Sequence, residues 1–349
     1  MVTPEPAEPP AGQPSAPAGR RRRRILFAVL GALLAAGVAA AAFLLSPPRT
    51  PDAGPAQSPA PSAAVTPSPT PPPEPPPTAL NILLIGSDSR VNQRGAAAAG
   101  KASDQRADTL VFLHLPANRQ QVYGISLMRD LWVSIPGHGE AKINASLELG
   151  GIPLATRTVE SLLGQRINHT VMVDFQTFAA LTDAVGGVDV NVKLPFTSTI
   201  DPGVAFSAGV NRLNGARALD FVRERKAFVD GDYQRVRNQQ TFLKAVLATA
   251  VKQSVADRAA ARNLAATVLP RVTVVPGLTL DALARLTFSF RNTPAGGAFF
   301  TLPTAGDGTS DDGQSIVVQD PAKTAELVAA LRANKLDTYV AAHKLQNGN

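Results

Sequence analysis

The 349-residue chain contains no cysteine. It therefore has no disulfide framework, no thiol nucleophile and no thiolate metal ligand. Aromatic residues make up only 5% of the chain, and its four histidines show no metal-ligand spacing. The nucleophile elbow G-x-S-x-G is also absent from the sequence. Catalysis by a zinc ion or by a serine–histidine pair is therefore not expected.

The charge of the chain is modest as well. Charged residues make up 17% of it, and the formal net charge is +7. Residues 1–80 contain six arginines and four acidic residues, which leaves 28 basic and 23 acidic residues in the rest, a net of +5. An excess of this size is too small to indicate a nucleic-acid partner. It fits a phosphorylated substrate and equally fits no functional role.

Residues 25–45 form one uncharged hydrophobic run, and residues 20–24 before it are consecutive arginines. As a helix this run spans about 30 Å, the thickness of the bilayer hydrocarbon core. The positive-inside rule then places residues 1–24 in the cytoplasm and the rest outside. A cleaved signal peptide is the alternative, but its hydrophobic region is usually only about 7–15 residues long. The pattern favours a single-pass signal-anchor helix in the cell membrane and an extracytoplasmic domain.

Residues 46–79 form a proline-rich linker with 14 of the 30 prolines of the chain. Proline at this density favours an extended polyproline II spacer, which could hold the following domain up to about 100 Å from the bilayer. The sequence thus divides into a cytoplasmic tail (1–24), an anchor (25–45), this linker, a folded domain (80–335) and a C-terminal tail (336–349).

From residue 80 onward, short apolar runs alternate with helical patterns. Strands are predicted at residues 81–86, 110–115, 121–127, 188–192, 298–302 and 315–318. Helices are predicted at residues 156–163, 175–184, 232–251, 281–286 and 320–332, with Asp232 as the N-cap of the longest. Strands and helices mixed throughout predict one α/β domain over residues 80–335.

Residues 95–101 (GAAAAGK) match the opening of the phosphate-binding P-loop pattern. That pattern continues with Ser or Thr to hold a metal ion, and here Ala102 follows. No strand leads directly into the segment either. We therefore expect a flexible loop and not a nucleotide site.

Acidic residues and arginines recur at the ends of the predicted strands. They are Asp88 and Arg90 after the first strand, Arg106 and Asp108 before the second, and Arg129 and Asp130 after the third. Taken singly, each fits a turn cap or a surface ion pair. Because α/β sheets form their sites at strand ends, the recurrence fits a shared site as well as it fits separate surface contacts.

A second cluster lies in residues 219–240, LDFVRERKAFVDGDYQRVRNQQ. Its polar members are Arg223 and Arg225 on either side of Glu224, and Arg235 and Gln239 one helical turn apart. A helix N-terminus beside guanidinium groups suits a phosphate or pyrophosphate. The residues alone fit a solvated basic helix face equally well.

Successive blocks of the sequence resemble those of LytR–CpsA–Psr proteins, in the order of that family and over residues 80–335. The blocks are NILLIGSDSR, RADTLVFLHL, SLMRDLWVSIPGHGEAKINAS, VDFQTFAALTDAVGGVDV, and LNGARALDFVRER followed by GDYQRVRNQQTFLKAVL. Each block is moderately specific, and their combination is very specific. An arginine-rich N-terminus, a single anchor and an external domain also match the family in its actinobacterial form.

The resemblance implies a mixed central sheet flanked by helices, with a long apolar pocket for a polyprenyl chain that opens at an arginine-lined mouth. It implies a Mg²⁺ or Mn²⁺ ion at the pyrophosphate, held by Asp88 and Asp108. It assigns phosphate contacts to Arg90, Arg129, Arg223, Arg225, Arg235 and Gln239, and catalysis to Asp88, Asp108, Arg129, Arg223 and Arg225. Asp232, Lys142 and Asn144 match further family positions without a firm role.

Two places depart from the family pattern. Ala107 stands where Ser is usual, and Leu127 and Met128 stand where Ile and Pro are usual. Neither change removes a charged group, so we expect local adjustments and no loss of activity.

The implied activity is transfer of a phosphoglycan from a polyprenyl-pyrophosphate carrier to peptidoglycan, in the assembly of a wall teichoic acid, arabinogalactan or capsule-type polymer. A pyrophosphatase acting on the same carriers, with water as the acceptor, is one alternative. A non-catalytic wall-binding or regulatory module is another, although it has no need of paired acids beside the arginines. The expected partners are the carrier-linked glycan, the peptidoglycan acceptor and, through the anchor, the membrane.

Overall fold

The computed structural model describes residues 78–88, 94–254, 258–290 and 297–348. The predicted cytoplasmic tail and anchor, and the linker up to residue 77, lie outside these residues, and so does Arg90. Within the described ranges, no helix is long and apolar enough to cross a bilayer.

Strands and helices are interspersed along the described residues. The strands are β1 Leu80–Ser87, β2 Ala107–Leu115, β3 Val122–Leu127, β4 Trp132–Ile135, β5 Gly139–Lys142, β6 His169–Asp174, β7 Val188–Val192, β8 Phe196–Thr197, β9 Ala205–Phe206, β10 Gly209–Leu213, β11 Thr273–Val275, β12 Gly297–Thr301, β13 Thr304–Thr309 and β14 Ser315–Gln319. The helices are α1 Arg94–Ala98, α2 Ala145–Leu163, α3 Phe175–Ala184, α4 Gly215–Arg223, α5 Asp232–Ser254, α6 Arg258–Val268, α7 Leu280–Ser289, α8 Pro321–Arg332 and α9 Leu336–Ala342.

Six strands form a mixed sheet in the order β11-β6-β1-β2-β3-β12. Strand β2 runs antiparallel to its neighbours β1 and β3, while β6 runs parallel to β1 and β12 runs parallel to β3. The carboxyl ends of β1, β3, β6 and β12 therefore reach the same edge of the sheet, where β2 begins. The predicted α/β fold with a mixed central sheet is confirmed, and this edge is where ligands bind in such sheets.

Both faces of the sheet are buried against helices. Because side chains alternate along a strand, Ile82 and Val111 enter one core, and Leu83 and Phe112 enter the other. The first core includes side chains of α3 to α7, and the second includes side chains of α2, α8 and α9. Burial on both faces explains why these strands are continuous apolar runs in the sequence. Each large side chain buried in this way stabilises the fold by about 1.5–3 kcal/mol.

Several predicted elements are confirmed. The helix at residues 175–184 and the strand at residues 188–192 have the predicted bounds, as α3 and β7. The strands predicted from residues 81, 110 and 121 correspond to β1, β2 and β3.

The helix predicted at residues 156–163 begins earlier, at Ala145, as α2. The sequence around Gly151 is typical of a helix end, but here the helix continues through a kink at which Gly151 has a φ of 60°. A Cβ at Gly151 would lie 2.3 Å from the carbonyl oxygen of Ala97, so α1 packs closely on the kink. The expectation of a flexible loop over residues 95–101 is therefore wrong for its first part, which is helical.

Several further elements have no predicted counterpart, among them β4, β5, α4 and α6. Strand β6 has no predicted counterpart, although it lies between β1 and β11, because six residues with polar ends show little periodicity. Residues 336–349, predicted as a tail, contain α9, whose Leu336, Tyr339 and Val340 are buried in the second core. Their helical spacing was present in the sequence, in a segment too short to stand out.

Candidate functional site

Three predicted site residues meet at the edge of the sheet where β1 and β3 end and β2 begins. The pairing of β2 with both strands makes Asp88, Asp108 and Arg129 neighbours. Nη1 of Arg129 donates a hydrogen bond of 2.8 Å to Oδ1 of Asp108. These side chains follow or precede strands in the sequence, and antiparallel pairing is what brings those strand ends together.

A cavity of about 430 Å³ lies at this edge. Its wall contains every predicted site residue within the described ranges: Asp88, Asp108, Arg129, Arg223, Arg225, Arg235 and Gln239. The rest of the wall consists of Thr109, Phe175, Thr199, Ile200, Val222, Glu224 and Lys226. The volume falls within the range of about 300–1,000 Å³ that is typical of ligand sites.

Arg129 is held in place by three carboxylates. Its guanidinium lies 2.8 Å from Asp108 and 3.4 Å from both Asp130 and Asp232. Burial favours a lower pKa of Arg129, but these carboxylates outweigh burial and raise the pKa above its usual value. Lys142 pairs in turn with Asp130 at 3.5 Å. Arg129 is thus a permanently charged donor with a fixed orientation.

Asn144 braces the same region through its backbone. Its N–H donates to the Arg129 carbonyl at 3.1 Å, and its carbonyl accepts from the N–H of Ala107 at 3.5 Å. Ala107, Leu127 and Met128, where the sequence departs from the family pattern, are all buried. These three residues lie beneath the site, and the cavity wall is formed by other residues.

Asp232 connects three arginines of the cavity. Its carboxylate lies 2.8 Å from Arg235, 3.4 Å from Arg129 and 3.8 Å from Arg225. It is the first residue of α5 and not the N-cap expected from the sequence, and the carbonyl of Gly231 before it accepts the N–H of Arg235. Burial lowers the pKa of Arg235, and the charge of Asp232 opposes that shift. Asp232 therefore fixes guanidinium groups from three elements relative to one another.

Arg223 extends from the end of α4 over an aromatic ring. Its guanidinium carbon lies 4.4 Å from the ring centre of Phe175, a favourable cation–π distance. It forms no salt bridge within the part of the chain that the structure describes. A guanidinium that lines a cavity without a contacting carboxylate is available to bind an anion.

Asp88 lies close enough to Asp108 for its own ionisation to be affected. Burial raises the pKa of Asp88, and the charge of Asp108 raises it further. A divalent cation between them would relieve this repulsion, and Mg²⁺ prefers oxygen ligands. Among the described residues, no three or more His, Cys, Asp or Glu side chains form a metal-binding group. The two carboxylates nevertheless fit Mg²⁺, which is usually bound by one or two carboxylates together with substrate phosphates.

An apolar cavity of about 110 Å³ continues inward from the polar one. The two cavities share Thr109, Phe175, Val222 and Gln239 in their walls. The remaining lining comes from β1, β2, β6, α3, α4 and α5, and consists of Leu84, Ile85, Gly86, Val111, Val173, Phe178, Leu219, Phe242, Leu243 and Val246. At the junction, the Gln239 amide donates to the Val222 carbonyl at 3.1 Å. The site therefore combines a cationic mouth with an apolar interior.

The LytR_cpsA_psr family profile matches residues 58–332. The chain belongs to the LytR–CpsA–Psr family. It is 37% identical over 177 residues to the probable cell wall biosynthesis protein LcpB of Corynebacterium glutamicum. The aligned region covers 49% of this chain and 42% of LcpB. It is 35% identical over 169 residues to the polyisoprenyl-teichoic acid–peptidoglycan teichoic acid transferase TagU of Bacillus mycoides. The aligned region covers 48% of this chain and 51% of TagU. The chain spans about half the length of the curated relatives it matches.

Solved structures share the fold of this LytR–CpsA–Psr domain. TagV of B. subtilis has a TM-score of 0.62 and 24% identity, over 74% of this chain and 97% of TagV. TagT bound to LI-WTA has a TM-score of 0.58 and 22% identity, over 73% of this chain and 90% of TagT. The family predicted from the sequence blocks is confirmed. The likeness to TagV and TagT concerns the fold alone.

Glu224 is the main feature of the polar cavity that sequence reasoning misses. Its buried carboxylate accepts the N–H and the hydroxyl of Thr199 at 2.6 and 2.8 Å, and the N–H groups of Arg225 and Ala227 at 2.9 and 3.1 Å. Burial favours a raised pKa of Glu224, but these hydrogen bonds outweigh burial and lower it below the usual value. In the sequence, Glu224 looks like a solvated acid between two arginines, and only the fold reveals its donors.

Proposed function

We propose that this protein transfers a phosphoglycan from a polyprenyl-pyrophosphate carrier to peptidoglycan during cell-wall assembly. The observation that supports this most strongly is the junction of two cavities, one lined by four arginines and the other by apolar side chains. A polyprenyl pyrophosphate has the same two parts, an anionic head and a hydrocarbon tail. The names of relatives agree with the proposal, since TagU is a teichoic acid transferase and LcpB is a probable cell wall biosynthesis protein.

The anionic head binds among the guanidinium groups of Arg129, Arg223, Arg225 and Arg235, with Arg90 as a further contact. Each charge-assisted hydrogen bond of this kind contributes about 1.5–3 kcal/mol. Asp232 holds three of these arginines before the ligand arrives. Little reorganisation is then needed when negative charge develops during the reaction.

The hydrocarbon tail enters the apolar cavity between the sheet and helices α3, α4 and α5. Its volume of about 110 Å³ is below the range of about 300–1,000 Å³ typical of ligand sites. We therefore expect these helices to move away from the sheet when a polyprenyl chain binds. The Gln239–Val222 hydrogen bond lies at the entrance and is the contact that we expect to break or shift first.

Asp88 and Asp108 would hold a Mg²⁺ or Mn²⁺ ion beside the pyrophosphate, because two close carboxylates and the raised pKa of Asp88 fit a hard divalent cation. When bound, such an ion supplies positive charge that offsets the negative charge of the phosphates. Further positive charge comes from Arg129 after β3, Arg223 at the end of α4, Arg225 in the following loop and Arg235 on α5.

The reaction joins a hydroxyl group of peptidoglycan to the phosphorus on the sugar side of the pyrophosphate. The bond from that phosphorus to the bridging oxygen breaks, polyprenyl phosphate leaves, and the hydroxyl group releases its proton. The glycan remains attached through a phosphodiester. Arg129, Arg223 and Arg225 orient the phosphates and stabilise the charge on the equatorial and leaving oxygens.

The proposed location follows from the N-terminal sequence. The hydrophobic run at residues 25–45 would anchor the protein in the cell membrane, with residues 1–24 in the cytoplasm. The proline-rich linker would then hold the catalytic domain outside the membrane, between the lipid-linked donor and the wall.

Full-length protein in detergent micelles, incubated with a polyprenyl-pyrophosphate-linked glycan, Mg²⁺ and peptidoglycan fragments, tests the proposal when products are analysed by mass spectrometry. We expect a glycan–phosphate–peptidoglycan product that is lost in Asp108→Ala and Arg223→Ala. Free phosphorylated glycan alone would indicate a pyrophosphatase. Carrier binding without any product would indicate a non-catalytic module, and either result contradicts the proposal.

A further inference from the structure

Most of the exposed large hydrophobic side chains belong to one segment of the chain. Six such side chains occur in the ranges that the structure describes: Leu149, Leu194, Ile200, Val210, Val229 and Val318. Four of them lie between residues 194 and 229. Of these, Val210 is 75% exposed and Val229 is fully exposed. Single exposed hydrophobic residues need no explanation, but their concentration in one segment indicates a surface that meets an apolar partner.

The loops of this segment pack against one another beside the polar cavity. The centre of the Phe196 ring lies 4.6 Å from the ring centre of Phe206 and 4.8 Å from that of Phe228. The contact with Phe228 joins the β8–β9 hairpin to the loop between α4 and α5. Val210 lies in β10, which pairs with β7, and the chain runs from β7 into the same hairpin. Ile200 itself lines the polar cavity. Of the four hydrophobic residues, Ile200 and the loop that carries Val229 therefore lie beside the cavity mouth, whereas Leu194 lines a separate cleft together with Lys193.

The basic side chain beside Ile200 and Val229 is Lys226. It is exposed, it lines the polar cavity, and it forms no ion pair in the described part of the chain. Of the neighbouring acidic side chains, Asp230 pairs with Arg237, and Asp201 accepts a backbone N–H within its own turn. An apolar surface bordered by an unpaired lysine complements a negatively charged lipid surface better than it complements an uncharged apolar partner.

We propose that this surface, the rim, inserts into the headgroup region of an anionic lipid bilayer. The rim consists of Ile200, Lys226 and Val229. Hydrophobic side chains combined with lysines are the features of proteins that bind at the membrane interface. The proposal rests on the proposed function, because a polyprenyl carrier stays in the bilayer. A mouth held at the lipid surface lets the tail pass into the apolar cavity without crossing water.

The absence of cysteine allows a direct test, since one introduced cysteine gives one labelling site. Full-length Val229→Cys protein is labelled with the environment-sensitive dye NBD in vesicles that contain phosphatidylglycerol and a spin-labelled lipid. Val318→Cys is the matched control, because Val318 is also exposed but lies in β14 outside the rim. We expect the dye at position 229 to shift to the blue and to be quenched by the spin label, and the dye at position 318 to do neither.

The contribution of charge is tested in the Val229→Cys background. Replacing Lys226 with Gln should weaken the quenching at least about twofold in phosphatidylglycerol vesicles. Equal behaviour of the dye at positions 229 and 318 would overturn the proposal. So would a blue shift without lipid quenching, because that result would indicate a protein partner such as a second copy of the chain. If the dye is quenched but no glycan is transferred, the proposed function is refuted and the rim proposal stands. If glycan is transferred but the dye is not quenched, the rim proposal alone is refuted.

Discussion

Arg235 and Arg237 lie two positions apart on α5 and belong to different sites. Arg235 lines the arginine cavity and pairs with Asp232 at 2.8 Å. Arg237 pairs with Asp230 and lines a separate polar cleft on the far side of the helix. At about 100° per residue, two positions turn a side chain to nearly the opposite face. The two arginines therefore form a variant and its matched control within one helix.

We expect Arg235→Ala to lower kcat/KM for glycan transfer about 10- to 100-fold, because it removes a charge-assisted hydrogen bond to the pyrophosphate. Arg235→Lys should recover only part of the loss, since lysine cannot make a two-pronged contact. Arg237→Ala, the same chemical change, should leave kcat/KM within about twofold of the parent. Steady-state kinetics of the three variants checks this, and equal losses at both positions would show that the effect arises from helix stability.

The buried Glu224 carboxylate leads to a prediction about the shape of the cavity. Glu224→Gln places an amide NH₂ among donors, so at least one buried group loses its partner, at a cost of about 1–3 kcal/mol. We expect a lower Tm and a kcat/KM reduced about 10-fold, because the Thr199 loop and the Arg225 backbone separate. Glu140→Gln, at an exposed position in β5, is the control. Unchanged kinetics in Glu224→Gln would mean that the loop contact does not position the arginines.

The raised pKa of Asp88 predicts that cation binding depends on pH. A protonated carboxylate does not bind a divalent cation, so affinity should increase as pH rises through the raised pKa and level off above it. Titration calorimetry with Mg²⁺ and a short-chain polyprenyl pyrophosphate, from about pH 4 to pH 7, measures this dependence. Asp88→Asn should bind Mg²⁺ weakly at every pH. An affinity in the parent protein that stays constant over this range would remove Asp88 from the cation site.

Filling the apolar cavity should discriminate between donors by tail length. Val246 lines this cavity and is buried, so Val246→Phe occupies space that the tail needs. We expect KM for a long-chain donor to rise about 10-fold or more, while a donor with a very short chain is used as before. Overpacking typically costs about 1–3 kcal/mol of stability, which thermal unfolding records separately. A uniform loss with both donors would mean that the tail binds elsewhere.

Much of the arrangement of the site could be predicted from the sequence, because its charged residues adjoin strong strand patterns. Asp88, Asp108 and Arg129 border the apolar runs of β1, β2 and β3, and the edge of an α/β sheet is where such residues gather. The basic cluster in residues 219–240 supplied the residues of α4 and α5, and the family blocks then joined them to the same site. The sequence patterns alone also predicted α3 and β7 with their observed bounds.

Other features depend on contacts that no local pattern encodes. Asp232 binds Arg129, which is far away in the sequence, and the fold alone sets that distance. The hydrogen bonds between Glu224 and Thr199 likewise join two loops, neither of which has a periodic pattern. Strand β6 is stabilised by its neighbours in the sheet and not by its own composition, so six residues gave too little signal.

The most direct test of the central claim is glycan transfer carried out in H₂¹⁸O, with the phosphate of the product analysed by mass spectrometry. If a peptidoglycan hydroxyl attacks the phosphorus, the new oxygen comes from the acceptor, and the glycan phosphate contains no ¹⁸O. This is the result that we predict. Incorporation of one ¹⁸O atom into the glycan phosphate would show that water is the acceptor, and the protein would then be a pyrophosphatase.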